Sequence, residues 1–153
     1  MKKILFILLA ICLSATACEK KEQSLVNTKW ELVGIMDVQT GILTTELEGI
    51  GSEIQTMDSC RIKCYSLEFV DEETYRGFSR VNGFGGTYTI DYKTNDFKVI
   101  GLIQTLVGGS DDDKLYISSL MAAQSFFLQK KKKELWLYHN DKKNYLLFKR
   151  IEP

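Results

Sequence analysis

Apolar and polar residues alternate with a period of two in several runs along this chain. Residues 28–35 set Trp30, Leu32 and Gly34 against Lys29, Glu31 and Val33. Residues 65–70 set Tyr65, Leu67 and Phe69 against Ser66 and Glu68. Successive side chains of a strand point to opposite faces, so each run predicts a strand with one buried face. Gly34 weakens the first strand and marks a bend. In residues 75–92, Arg76, Phe78 and Arg80 alternate with Tyr75, Gly77, Ser79 and Val81, and Tyr88, Ile90 and Tyr92 alternate with Thr87, Thr89 and Asp91. This predicts an antiparallel hairpin whose turn is the glycine-rich stretch Asn82, Gly83, Phe84, Gly85, Gly86. Asp71, Glu72 and Glu73 make the turn before it, residues 93–96 the turn after it, and residues 97–103 the next strand. Residues 65–103 thus form a meander of about four short strands, each too weak to stand alone.

The period then changes. Residues 110–129 space Tyr116, Leu120, Ala123 and Phe127 along one helical stripe. Ser110 is a good N-cap, and Asp113 stands where the acid of a capping box belongs. Asp111, Asp112 and Asp113 sit at the positive end of the helix dipole, and Lys130, Lys131, Lys132 and Lys133 at its negative end. Helix capping therefore accounts for both runs, without a calcium site or a phosphate- or lipid-binding patch. The acidic triplet also lacks the spaced ligands and the glycine of an EF-hand loop. Residues 134–138 and 144–151 flank a polar turn and predict a closing hairpin, with Leu135 and Leu137 on one face and Trp136 and Tyr138 on the other. Apolar residues on both faces predict one buried side and one covered by the helix. His139 falls in the polar turn and is expected to be exposed. The fold class is mainly β: a small antiparallel barrel-like meander packed against one amphipathic helix.

The N-terminus reads differently. Lys2 and Lys3 precede an apolar run from residue 4 to residue 17. That run is shorter than the roughly 20 residues of a stable membrane span. Ala15, Thr16 and Ala17 then lead into Cys18. Residues 1–17 read as a signal peptide, to be set apart from the fold. Small residues directly before a cysteine resemble the lipobox of bacterial lipoproteins, in which the cysteine becomes N-terminal and carries acyl chains such as palmitate. The commonest lipobox has Leu where this chain has Ala15. Residues 18–26 are then the lipidated Cys18 and its polar tether, and residues 27–151 a single domain. Partnership with the membrane runs through that lipid. Glu19 follows the cysteine in place of the aspartate of the usual inner-membrane retention signal, which favours the outer membrane.

Charge narrows the function. The whole chain has 20 basic and 20 acidic side chains. Loss of residues 1–17 removes Lys2 and Lys3, leaving a net charge of about −2, which argues against a general nucleic-acid binder.

Cys60 and Cys64 are the thiols of the mature chain besides Cys18. Export to an oxidising compartment points to a disulfide. In a strand, residues four apart lie about 13 Å apart, so the pair closes only across a turn. Two free thiols are the alternative, and a redox or metal role a third. Residues 37–58, with Gly41, Gly49 and Gly51, read as a long surface loop or weak hairpin and one candidate binding surface. The chain has one histidine, no nucleophile elbow, no metal-ligand cluster and no phosphate loop, so no enzyme, cofactor or metal is expected. Glu68 with Asp91, or Arg76 with Arg80, could pair into a small charged site; cross-strand ion pairing is the plainer account.

The order of parts resembles the META domain, also called HslJ-like, of bacterial envelope lipoproteins. Trp30 with Leu32 matches its opening motif. Asn82, Phe84, Gly86 and Tyr88 match its central motif, and Thr105 the threonine that closes the following strand. Tyr116, Leu120, Leu135 and Leu137 match its later apolar positions. Many members carry a cysteine just before the asparagine and another four residues after the threonine; here those positions are Val81 and Gly109. The resemblance implies a small barrel-like fold on one helix, with no enzymatic activity and no cofactor. The expected function is a binding or structural module of the envelope, contacting an envelope protein or small ligand through residues 37–58 or exposed aromatics such as Phe84. The alternative is a lipocalin-like carrier of a small apolar ligand, unless Tyr65, Leu67, Phe69, Tyr88, Ile90 and Tyr92 fill the interior.

Overall fold

The computed structural model describes residues 24–45 and 65–152. Among the described residues, nine strands and one α-helix follow in chain order: β1 (Thr28–Asp37), β2 (Leu43–Thr45), β3 (Ser66–Phe69), β4 (Thr74–Phe78), β5 (Gly83–Asp91), β6 (Asp96–Gln104), α1 (Asp111–Met121), β7 (Ser125–Gln129), β8 (Glu134–His139) and β9 (Asn144–Ile151). All pairings are antiparallel. Eight strands close a ring in the order β1-β3-β4-β5-β6-β7-β8-β9, and β9 pairs back onto β1. That last seam runs from Lys29 opposite Ile151 to Asp37 opposite Asn144. β2 lies outside the ring, on the second half of β1.

The alternation of the sequence is the alternation of the ring. Trp30, Leu32, Leu67, Phe69, Tyr75, Phe84, Tyr88, Phe97, Leu135, Leu137 and Phe148 point inward and are buried in one cluster. Aromatic rings fill the middle edge-to-face: Phe69 on Tyr88 at 5.0 Å, Tyr65 on Tyr116 at 5.2 Å. Such pairs add about 0.5–1.5 kcal/mol each beyond the area they bury. Buried phenols donate to main-chain carbonyls: Tyr88 to Asp71 at 2.7 Å, Tyr75 to Gly101 at 3.0 Å and Tyr116 to Ser66 at 3.1 Å. The indole of Trp30 donates to the Thr28 hydroxyl at 2.7 Å, and that hydroxyl donates to the Leu25 carbonyl. These polar tips thereby find the partners that a buried hydroxyl or indole requires, whereas the buried Tyr65 hydroxyl has none among the described residues.

β6 and β7 meet at one position, Asp96 opposite Ser125. Above it the two strands part, and α1 packs into the opening against β6 and β8. Tyr116 and Leu120 on α1 are fully buried in the barrel core. The helix begins as its sequence predicts. Ser110 is the N-cap, and Asp113 completes a capping box with it.

Several expectations change. The hairpin turn is residues 79–82, and Gly83, Gly85 and Gly86 belong to strand β5. The reason is steric: a β-carbon at Gly86 would collide with the Gly101 carbonyl, and one at Gly85 would press on the Tyr75 carbonyl at 3.1 Å. These glycines let strands approach and do not form the turn. The helix stops at Met121, and residues 125–129 form a strand paired with β8 from Ser125 opposite Tyr138 to Gln129 opposite Glu134. Aromatic cross-strand pairing, Phe127 on Trp136 at 5.3 Å, overrides the helical spacing. The helix covers the inner face of the closing hairpin. Its outer face carries Trp136 stacked on Tyr145 at 4.6 Å, with Tyr138 beside them. His139 ends β8 as a buried side chain.

Candidate functional site

The turn at residues 79–82 and the linker from β6 to α1 are held together by two buried polar side chains. Asn82 occupies the last position of the turn, whose backbone is closed by Ser79 N–H donating to the Asn82 carbonyl at 2.8 Å. The Asn82 amide faces the linker. Its Nδ2 donates to the Val107 carbonyl at 2.9 Å, and its Oδ1 accepts from Val107 N–H at 2.9 Å and from the Thr105 hydroxyl at 3.0 Å. The side chain thus pairs with Val107 as a neighbouring strand would.

Asp113 makes the second bridge from the helix side. Its Oδ2 accepts from Ser110 N–H at 2.9 Å, and its Oδ1 accepts from Arg80 N–H at 2.9 Å. One carboxylate therefore caps α1 and fixes the turn. Both Asn82 and Asp113 are buried. Fully paired polar groups in a low-dielectric setting make a rigid joint.

The joint decides where the linker's apolar side chains go. On the linker Leu106 is 94% exposed and Val107 is open to solvent; beside them Ile103, on β6, is 82% exposed, and Val81, in the turn, is open as well. Ile103 stands on the outer face of β6 opposite Gly85. Phe78, one strand further round, lies over Gly83, whose β-carbon position is 3.4 Å from its ring. Between them runs an apolar groove of about 470 Å³ floored by Gly83 and Gly85, with Arg76 at its edge. A second depression, about 440 Å³, lies under the linker and shares Gln104 and Thr105 with it. This end of the barrel presents an apolar rim on a fixed backbone.

The sequence candidates distribute as follows. Asn82 and Thr105 meet in the joint. Phe84, Gly86 and Tyr88 lie on β5, with Phe84 and Tyr88 packed in the core. Phe84 is 5% exposed, because its ring fills the space above Gly77 and meets Tyr116, so it cannot serve as an exposed contact. Trp30 lies on β1 with its ring in the core. Arg76 pairs with Glu68 through two hydrogen bonds, 2.7 and 3.0 Å, and Lys29 stands 3.4 Å from the same carboxylate. That contact holds the Glu68 carboxyl below its ordinary range. Arg80 belongs to the turn and shares no strand with Arg76. Asp91, at the far end of β5, is instead engaged by the backbone of Lys93. Burial pushes the phenols of Tyr65 and Tyr75 up to about 12, so both stay protonated. Burial alone lowers the basicity of His139. Among the described residues, no three His, Cys, Asp or Glu side chains gather to hold a metal ion. Cys18, Cys60, Cys64 and residues 46–58 lie outside the described residues. The exposed rim was missed by sequence reasoning. Its signal was present in Ile103, the last residue of the predicted strand, and in Leu106 and Val107 just beyond it.

Comparison with known proteins adds a relationship. A Tannerella forsythia protein described as "Putative lipoprotein" is 30% identical over 158 residues, spanning 99% of this chain and 98% of that protein. The chain belongs to the family of that lipoprotein. No protein-family model matches it. The crystal structure of a DUF4847 family protein from Bacteroides vulgatus superposes with a TM-score of 0.61 at 17% identity, covering 84% of this chain and 95% of the other. At that identity the likeness is one of fold.

Proposed function

We propose that this lipoprotein-family member is a non-enzymatic binding module of the cell envelope, anchored by acyl chains on Cys18, that contacts a partner protein through its apolar rim. The observation that carries the reading is the exposure of Ile103 and Leu106 side by side on fixed backbone, Ile103 on the outer face of β6 and Leu106 on the linker held by Asn82 and Asp113. Large apolar side chains gathered on a rigid surface mark interaction sites. The tether supports the same orientation. β1 starts at the end of the barrel away from the rim, so an anchor ahead of it leaves the rim facing away from the bilayer. The outer membrane is the proposed location, because Glu19 follows the cysteine.

We also infer kinship with the META domain. The hydrogen bond from Thr105 to Asn82 joins two positions of the motif, which gives that spacing a structural purpose. The carrier reading is the weaker one, since Trp30, Tyr65, Phe69, Tyr88, Phe97 and Tyr116 occupy the barrel's interior.

The test is photo-crosslinking in intact cells from a probe at position 106. A discrete adduct that disappears in an Ile103→Asp background supports the reading. A probe that reacts with lipid alone, or an adduct insensitive to Ile103→Asp, overturns it. Intact mass of the mature protein tests the anchor: diacyl or triacyl mass on Cys18 is expected, and an unmodified cysteine overturns it.

A further inference from the structure

The four consecutive lysines remain to be explained. α1 ends nine residues before them, and its last turn holds no basic residue. They form instead the tight connection between β7 and β8, a 3₁₀ turn at Lys130–Lys132 followed by Lys133 in a left-handed conformation, φ 54°. Helix capping, which the sequence offered for this run, does not apply.

Position gives the run a meaning. In the seam between β1 and β9, Lys29 lies opposite Ile151 and Asp37 opposite Asn144. The start of β1 and the end of β9 therefore share one end of the barrel, and the β8–β9 turn marks the other. The lysine turn belongs to the first end: the Lys133 carbonyl accepts from Arg150 N–H at 2.9 Å. A depression of about 500 Å³ there is lined by Ser24, Val26, Lys130, Lys133 and Arg150. The first described residue thus emerges among these cations.

We propose that residues 130–133, with Arg150, form a docking surface for the anionic phospholipid headgroups of the bilayer that carries the chain's own lipid anchor. This rests on acylation at Cys18. From Cys18 to Ser24 a fully extended chain spans at most roughly 20 Å. The strands of the seam are about 30 Å long. An anchor so short holds the lysine end near the headgroups and keeps the β8–β9 turn away from them.

Charge points the same way. On the β7–β8 and β9 side of this end, Lys130, Lys131, Lys132, Lys133, Lys149 and Arg150 stand against Glu134 and Glu152, while the β3–β4 and β5–β6 turns bring Asp71, Glu72, Glu73, Asp91 and Asp96 to other parts of the same end. Lys133 reaches Glu152 at 2.6 Å on an exposed surface, where water and salt weaken the pair. Residues 19–23 carry two acids and two bases and do not cancel the patch. Screening confines attraction between exposed charges to about 8 Å at physiological salt. The patch therefore acts only where the anchor has already brought it. The acyl chains hold the protein to the membrane, and the lysines set its tilt.

The experiment uses the full acylated protein, purified from membranes and reconstituted into vesicles, with amine labelling read by mass spectrometry. Labelling in phosphatidylcholine doped with phosphatidylglycerol is compared with phosphatidylcholine alone. In the anionic vesicles, Lys130, Lys131 and Lys132 should be protected at least about threefold, while Lys142 and Lys143 at the far end are not. Sodium chloride at about 0.5 M should abolish the protection. In a Lys130→Gln/Lys131→Gln/Lys132→Gln variant, protection of Lys149 should fall to its value in phosphatidylcholine. Equal labelling at both ends, or protection that ignores lipid charge and salt, overturns the proposal while leaving the anchor intact. The mass of the N-terminal peptide from the same sample separates the two ideas: an unmodified Cys18 removes the anchor and the proposal together.

Discussion

Asn82 grips Val107 at both of its main-chain groups, N–H and C=O, each at 2.9 Å. This is a side chain acting as one rung of a sheet between two segments that are not strands. Replacing it with alanine removes those bonds and the one from Thr105. Asn82→Ala should cost about 1–3 kcal/mol in chemical denaturation. It should also speed amide exchange at Val107 while amides of β8 and β9 hold their rates. Unchanged exchange at Val107 would mean the linker is fixed by something else.

Asp113 and Asn82 hold the same turn from opposite sides. Asp113→Ala deletes the capping box and the bond to Arg80 N–H and should cost about 1–2 kcal/mol. Once either grip is gone, the other holds a looser linker. A double-mutant cycle should therefore return a coupling of at least about 0.5 kcal/mol. Strict additivity would show two independent supports.

Two glycines give opposite predictions. A β-carbon at Gly86 would run into the Gly101 carbonyl, whereas one at Gly108 meets nothing within 4 Å. Gly86→Ala should destabilise by more than about 2 kcal/mol, because backbone must move to admit it. Gly108→Ala should be neutral or stabilising by up to about 1 kcal/mol through the unfolded chain. Thermal unfolding of the two variants decides the matter.

The histidine predicts a pH dependence. His139 is buried, and loss of hydration lowers its pKa from 6.5. The unfolded chain then takes up a proton at a higher pH than the folded one. Stability is complete above about pH 6.5 and falls with acidification towards the folded value, by at most about 1.4 kcal/mol per pH unit. The Glu31 carboxyl, raised by partial burial, acts with the opposite sign, and no other histidine exists. His139→Leu should flatten the stability curve between about pH 5 and pH 6.5. A slope unchanged by the substitution would assign the acid sensitivity elsewhere.

Much of the barrel was legible because one face of each strand is buried. The alternation of Trp30 with Leu32, or of Tyr65 with Leu67 and Phe69, is a direct record of the inside. The capping box was legible because it is local, Ser110 and Asp113 lying three residues apart. What failed depended on distant partners. Residues 122–129 carry a helical spacing, and only β8, with Trp136 beneath Phe127, turns part of that run into a strand. Gly83 to Gly86 read as a turn because the neighbours that crowd them come from β4 and β6. The joint itself was half legible. Asn82 and Thr105 were singled out, but nothing in their spacing tells that Val107, two residues beyond Thr105, is the one that is held.

The barrel's seam joins β1 to β9, the earliest and the latest strands of the ring. Pairing segments more than a hundred positions apart makes closure a late and slow event, since the chain entropy must be lost before the contacts form. No shortened polypeptide that ends before β9 can complete the ring. A chain threaded through a translocation channel from its N-terminus would stay open, and so pliable, until its final strand had passed through.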